Sequence, residues 1–255
     1  MSPNLSSPFK GLAMIVLSIF GYKISIMSNK VATQIPDYLE ETYWWAYVRP
    51  WAVRFFERQW LINTILFGNY VRLRNAVLDE FGDDLAGRTL QMSCCYGDLS
   101  PRLAHRAAQN GGALDVVDIL PIQLDNLRKK ITPEMHARTL LMNAAALDMP
   151  EAIYDRVLLF FLLHEEPQAY REKTMSEALR VLKPGGKIVI VDYAQPAKWH
   201  PVRFLIFLFL ARLEPYAVDL WGKELADVIP AQMSGRVWKK TSYFGVLYQK
   251  LVSTR

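Results

Sequence analysis

Four stretches of this chain carry side chains whose types and spacing could do chemistry. The first is LQMSCCYGDLS, Leu90–Ser100, placed like a glycine-rich ligand turn between an apolar run and a helical pattern, yet keeping only Gly97. Glycine in such a turn lets the backbone approach a ligand closely and adopt positive φ. Here Ser93, Cys94, Cys95, Tyr96 and Asp98 present side chains instead. The second is Asp118, which closes LDVVD and precedes Ile119. An acidic residue ending the second strand of a nucleotide-binding unit can accept hydrogen bonds from both ribose hydroxyls. The third is NAAALDMPEAIYDRV, beginning at Asn143 and Ala144, and the fourth is EALRVLKPGGKIVIVDY. His164 and Glu165 follow the apolar run LLFFLL. At the end of a strand such a pair can move protons or ligate a metal.

Plainer roles compete at each position. Asp118 can cap the next helix, His164 can pack or cap, and KPGG can be only a turn. Asp98 can be an N-cap, although Ser100 already offers one. HEEPQ lacks the second histidine of the zinc-protease signature, Gln168 standing there. Cys94 and Cys95 invite a redox role, but a strand-end pair packing as small hydrophobes is the better reading.

The elements that must position these residues alternate between strand and helix. TLQMSCC reads as a strand and SPRLAHRAAQNG as a helix with Pro101 in its first turn. ALDVVDIL and YDRVLLFFLL are further strands; PIQLDNLRKK and PQAYREKTMSEALRVL are helices; KPGG turns into the strand KIVIVDY. This order predicts an α/β fold with a mostly parallel sheet covered on both faces. VWKKTSYFGVLYQKLVS reads as two strands turning near Gly245, an antiparallel addition at the carboxyl end. Residues 36–77 read as an aromatic helical cap in front of a domain over 78–255, with an apolar insertion at 200–225. The aromatics of the cap serve either as core or as a greasy lid over an apolar ligand.

With 30 Lys+Arg against 25 Asp+Glu the chain is mildly basic, too even for a nucleic-acid protein and suited to an anionic membrane. Adjacent cysteines frame no disulfide scaffold and no CxxC metal pair. Residues 1–35 contain no acid, and their apolar run Gly11–Tyr22 is too short to cross a bilayer. An anchor is favoured there over a signal or targeting segment.

The order and spacing of the four stretches resemble the class I S-adenosylmethionine-dependent methyltransferases over roughly residues 78–253, which implies their Rossmann-like fold with an N-terminal helical extension. In that family the first loop usually reads acidic-x-Gly-x-Gly-x-Gly. Here Gln91 replaces the acid, and Ser93 and Cys95 replace two glycines. The closely approached part of the cofactor is its amino-acid tail, so these side chains should reposition the tail and leave ribose and adenine contacts alone. Asn143 falls where the family often faces the adenine amino group with an aspartate, and its carbonyl can still accept that bond.

A narrower resemblance covers nearly everything from about Pro36 onward. WAYVRP, NTILFGNY, CCYGDLSPRLA, LDVVDILPIQLDNLRKK, FFLLHE and LEPYAVDLW together resemble the rhodoquinone-biosynthesis proteins. That resemblance implies conversion of ubiquinone to rhodoquinone, an amino group replacing a ring methoxy group. S-adenosylmethionine would supply the amine, with Mn2+ assisting. The alternative is a conventional methyltransferase acting on a prenylated quinone intermediate. On either reading Ser93, Cys94, Cys95, Gly97, Asp118, Ile119, Asn143 and Ala144 would hold the cofactor. Tyr96, Asp98, His164 and Glu165 would serve catalysis, and Asp98 and His164 would be the metal ligands, with Asp118 and Glu165 as further candidates. Ubiquinone as substrate implies peripheral membrane association, at the cytoplasmic face of a bacterial inner membrane or at the mitochondrial inner membrane, and no nucleic-acid partner.

Overall fold

The computed structural model describes residues 35–43, 46–47, 49–201, 203–221 and 236–254. The anchor expected over 1–35 lies outside them apart from Ile35, as do Val202 and the end of the apolar insertion beyond Trp221.

Among the described residues seven strands form one sheet in the order β3-β2-β1-β4-β5-β7-β6. They are β1 (Arg88–Met92), β2 (Ala113–Asp118), β3 (Ala137–Leu141), β4 (Tyr154–Phe160), β5 (Leu182–Tyr193), β6 (Val237–Tyr243) and β7 (Tyr248–Thr254). The first five pair in parallel. β7 runs antiparallel to both β5 and β6. The sheet is therefore mostly parallel with one antiparallel strand near its carboxyl end, the Rossmann-like methyltransferase arrangement.

Strand alternation explains why both faces are covered. Val189 and Val191 of β5 join one apolar cluster, while Ile188 and Ile190 join the other. A strand buried on both sides needs apolar residues at successive positions, not every second one. Helices α5 (Leu99–Gln109), α6 (Pro121–Arg128) and α7 (Gln168–Val181) supply the crossovers. Chain order reverses between the neighbours β1 and β4, and a doubly wound sheet opens a crevice outside the strand ends at such a point.

Ahead of the sheet come α1 (Asp37–Thr42), α2 (Pro50–Phe56), α3 (Gln59–Ile65) and α4 (Tyr70–Phe81). α4 runs through the junction expected at 77–78, and its Leu73, Val77, Leu78 and Phe81 share a core with Leu103, Leu114 and Leu158. After β5 come α8 (Arg203–Leu213) and α9 (Pro215–Trp221). β5 starts at Leu182, so KPGG lies inside the strand as an irregularity where its register against β4 shifts.

Candidate active site

One cavity lies beyond the carboxyl ends of β1, β2, β3 and β4. Ser93, Cys94, Cys95 and Tyr96 line it from the first loop, Asp118 and Ile119 from the second, Asn143 and Ala144 from the third. His164 and Glu165 line it from the turn after β4. Ten of the twelve residues expected at the site thus meet; Gly97 and Asp98 do not line the cavity.

The nucleoside side is orderly. Asp118 Oδ2 accepts from the Cys94 N–H at 2.8 Å and the Ser93 hydroxyl at 3.3 Å, and its Oδ1 accepts from the Leu120 N–H at 2.8 Å. Burial raises the Asp118 carboxyl above its usual range, while those donors hold it back. Asn143 Oδ1 accepts from the Ala145 N–H at 2.9 Å, an Asx turn that fixes the residue at the rim. A buried carboxylate at the second strand end, flanked by Ile119 and Ala144, fits a ribose with its adenine.

Ser93 adopts φ +72°, the left-handed region that glycine occupies without cost. The loop thus holds a side chain at a backbone angle that suits glycine. Beneath it Gln91 is fully buried, its amide donating to Ser93 O at 3.0 Å. Burial raises both thiols, Cys94 strongly, so neither presents a reactive thiolate.

Gly97 is retained for a different reason. At φ +88° an added Cβ would lie 2.3 Å from the Tyr70 hydroxyl. That hydroxyl accepts from the N–H groups of Asp98 and Leu99 at 2.8 and 3.2 Å, capping α5. Asp98 is the N-cap residue, yet its side chain makes no capping bond. Arg74 Nη1 donates to both of its oxygens at 2.8 Å, and Arg102 Nε lies 2.6 Å from Oδ2. Although burial opposes it, these guanidinium groups lower its carboxyl below the usual range. Asp98 is thereby held away from the catalytic and metal-binding roles expected of it. Tyr96 belongs to the wall: its hydroxyl donates to Ala46 O and accepts from Gln123 Nε2, both at 2.9 Å, and its ring stacks on Tyr47 at 5.8 Å.

The opposite side concentrates buried charge. His164 Nδ1 lies 2.9 Å from Asp192 Oδ1, and Nε2 lies 3.3 Å from Glu214 Oε2 and 3.9 Å from Glu165 Oε1. Burial alone would lower the imidazole; Asp192 and Glu214 override it and raise His164 well above its ordinary value. Burial pushes Glu165 up to about 8 despite the nearby imidazole and the hydroxyl that Tyr47 donates to its Oε1. Asp192 ends β5 and also accepts from the Leu163 and His164 N–H groups at 2.9 and 3.3 Å, which makes it a positioning residue. Tyr47, Asp192 and Glu214 are the functional candidates that sequence reasoning missed. Asp192 in VDY at a strand end was the findable one; Glu214 reaches the site only because α8 and α9 fold back over it.

The residues as placed do not support manganese: Asp98 faces arginines, and among the described residues no three His, Cys, Asp or Glu are grouped to hold a metal ion.

An apolar wall closes the cavity. Tyr38 and Tyr43 come from α1 and its C-cap, Phe56 from α2, and Ile62, Ile65 and Leu66 from α3 and its C-cap. The aromatic helices therefore act as core and as lid at once.

Known proteins agree with this architecture. Residues 89–186 match the family described as "Methyltransferase domain". A demethylmenaquinone methyltransferase of Thermus thermophilus is 31% identical over 140 residues, covering 54% of this chain and 62% of that protein. A ubiquinone/menaquinone biosynthesis C-methyltransferase of Bordetella parapertussis is 31% identical over 116 residues, covering 45% and 41%. The chain thus spans less than two thirds of either relative. Among solved structures, "Phospholethanolamine N-methyltransferase 2" of Haemonchus contortus shares the fold, with TM-score 0.58 over 86% of this chain and 59% of that one at 15% identity.

Proposed function

We propose that this chain, whose residues 89–186 match a methyltransferase domain, is an S-adenosylmethionine-dependent transferase acting on a prenylated quinone at a membrane, and that it exchanges a ring methoxy group for an amino group as in rhodoquinone formation. The observation that carries the finer part is the loop: Ser93 holds a glycine conformation above Gln91, a neutral amide where the usual pattern has an acid. An amine attacks only through its lone pair. A carboxylate beneath the loop would favour the charged ammonium, and an amide does not.

S-adenosylmethionine, when bound, would supply the nitrogen: its amine would displace the ring methoxy group as methanol, and the free ring amine would follow when the nitrogen–Cα bond is broken, water carrying the tail off as a 2-oxo acid while the quinone ring takes up the two electrons as a quinol. Asp118 accepts from the ribose hydroxyls, and Ile119 and Ala144 flank the base. Glu165, protonated below about pH 8, gives the departing methoxide its proton, with Tyr47 orienting its carboxyl. The proton lost by the amine returns to the Glu165 carboxylate left by that step, beside His164, which Asp192 and Glu214 hold in place. The apolar wall of Phe56, Ile62, Ile65 and Leu66 suits an isoprenoid tail.

A second reading, methyl transfer to a quinone-ring carbon, is favoured by the names of the Thermus and Bordetella relatives. There Glu165 would act ionised, as the base that removes a ring proton. Incubation with ubiquinone and S-adenosylmethionine labelled in the methyl carbon or the amine nitrogen separates the two. Nitrogen label in the quinone, with loss of methanol, is expected; carbon label with the methoxy groups intact would establish the second reading.

A further inference from the structure

We propose that the outer face of α8, with the loop before it and the corner between α3 and α4, docks on an anionic lipid bilayer. The inference deepens the quinone reading, because a prenylated substrate resides in the bilayer. Its evidence is a separate surface.

The segment RFLIFLFLARL divides by helical spacing. Ile206 and Leu210, four residues apart, are buried in the core. Phe204, Leu205 and Leu208 are 74%, 61% and 50% exposed, and Trp199 in the preceding loop is 76% exposed. Ring contacts beneath the surface tie the loop to the cap: Trp199 stacks on His200 at 6.5 Å, buried His200 meets Phe244 at 4.9 Å, and Phe244 stacks on Phe67 at 6.0 Å. Phe67 follows α3, which carries the exposed Trp60. Phe204, Leu205, Phe207 and Leu208 lie within one turn and a half of a single helix, and clustered exposed apolar side chains of this size mark an interaction surface.

Charge chooses the occupant. From Gln195 to Phe207 the chain has Lys198 and Arg203 and no acidic residue. A second copy seated on this face would bring like charges together with no acid on the segment to pair them. Anionic headgroups would pair them, while Trp199 suits the boundary between headgroup and acyl chain. α8 has 11 residues, and no described helix is long and apolar enough to cross a membrane, so the face lies in the interface plane. α3 links that plane to the site: Trp60 faces outward, while Ile62 and Ile65 line the cavity.

The test is amide hydrogen exchange of the full chain with vesicles of phosphatidylcholine alone or mixed with phosphatidylglycerol, without quinone. Peptides covering 198–213 should exchange more slowly on the mixed vesicles, with partition at least about tenfold tighter than on neutral ones. F204S/L205S/L208S should lose that protection. Unchanged exchange over 198–213 overturns the proposal even if another segment binds, as does equal partition on neutral vesicles. A dimer in light scattering that the triple variant dissolves assigns the face to a second copy and overturns it too. Turnover of a quinone without an isoprenoid tail should survive in the triple variant. Failure of the wild type there would count against the quinone reading, not against the docking face.

Discussion

The two sides of the cavity differ in how they are built. On the nucleoside side each polar group has a short local partner: Asp118 accepts backbone N–H groups from its own turn and the neighbouring loop, and Asn143 closes on Ala145. On the other side His164, Glu165, Asp192 and Glu214 come from the β4 turn, the end of β5 and the junction between α8 and α9, and compensate one another while buried. The first arrangement follows from strand order and tolerates side-chain changes in the first loop. The second exists only when the whole chain is folded, because unpaired buried charge is costly. One side of the pocket is thus built by local contacts, the other by long-range ones.

The largest effect should come from the long-range side. Glu165→Gln should lower turnover by about 100-fold or more, the usual contribution of a positioned acid or base. Its pH profile also separates the two reactions. An acid with a pKa of about 8 produces a falling limb above that pH, whereas a base produces a rising limb up to it. Rates of wild type and variant across pH 6 to 9.5 (a range chosen to bracket about 8) should show a falling limb that the variant lacks. A rising limb in wild type would favour methyl transfer.

On the nucleoside side Asp118→Ala should weaken cofactor binding by roughly 100-fold, as expected for two hydrogen bonds to a charged acceptor at about 1.5 kcal/mol each. Calorimetry with S-adenosylhomocysteine reads this directly, and the circular dichroism spectrum should stay native. Asp118→Asn should recover part of the loss, since its amide oxygen still accepts. Equal affinity in all three proteins would show that the local side does not hold the nucleoside.

Gly97→Ala tests the wall between the sides. The added methyl meets Tyr70 at a backbone angle that side chains rarely adopt, so a destabilisation of about 2 kcal/mol is expected in urea melts. Tyr70→Leu should cost stability alone yet reduce the further loss caused by Gly97→Ala. Additive losses would show that the angle, not the contact, requires glycine.

Local pattern explains which parts were legible in the sequence. Strand ends followed by turn residues placed Ser93–Tyr96, Asp118 and His164 on one rim, because period and chain order are local signals, whereas Asn143 was placed by the methyltransferase resemblance alone. Asp98 was misplaced, as Arg74 comes from a helix 24 residues earlier and no spacing rule reports that pairing. Gly97 looked like a ligand turn and serves Tyr70. β3 was hidden because its ARTLL is a half-exposed edge strand without a buried alternation. Glu214 and Tyr47 were illegible: each depends on where a helix outside the sheet folds back.

The remaining effect concerns the cost of burying charge on the long-range side. Glu166 adjoins Glu165, its Oε1 accepting from Thr174 Oγ1 at 2.8 Å, and burial pushes it up to about 8 as well. Its folded pKa exceeds its unfolded value near 4.5, so between those values the folded chain holds more protons than the unfolded one. Stability is then full below about 4.5 and falls as pH rises toward 8, by up to about 1.4 kcal/mol per pH unit from this group. Glu165 and His164, both raised, act in the same direction. Glu166→Gln removes one titration while keeping the acceptor for Thr174, so its urea-derived stability should fall less steeply over that window and exceed wild type near pH 8. A variant with the wild-type slope would mean that Glu166 titrates like an exposed glutamate, and that this side of the cavity is wetter than its geometry requires.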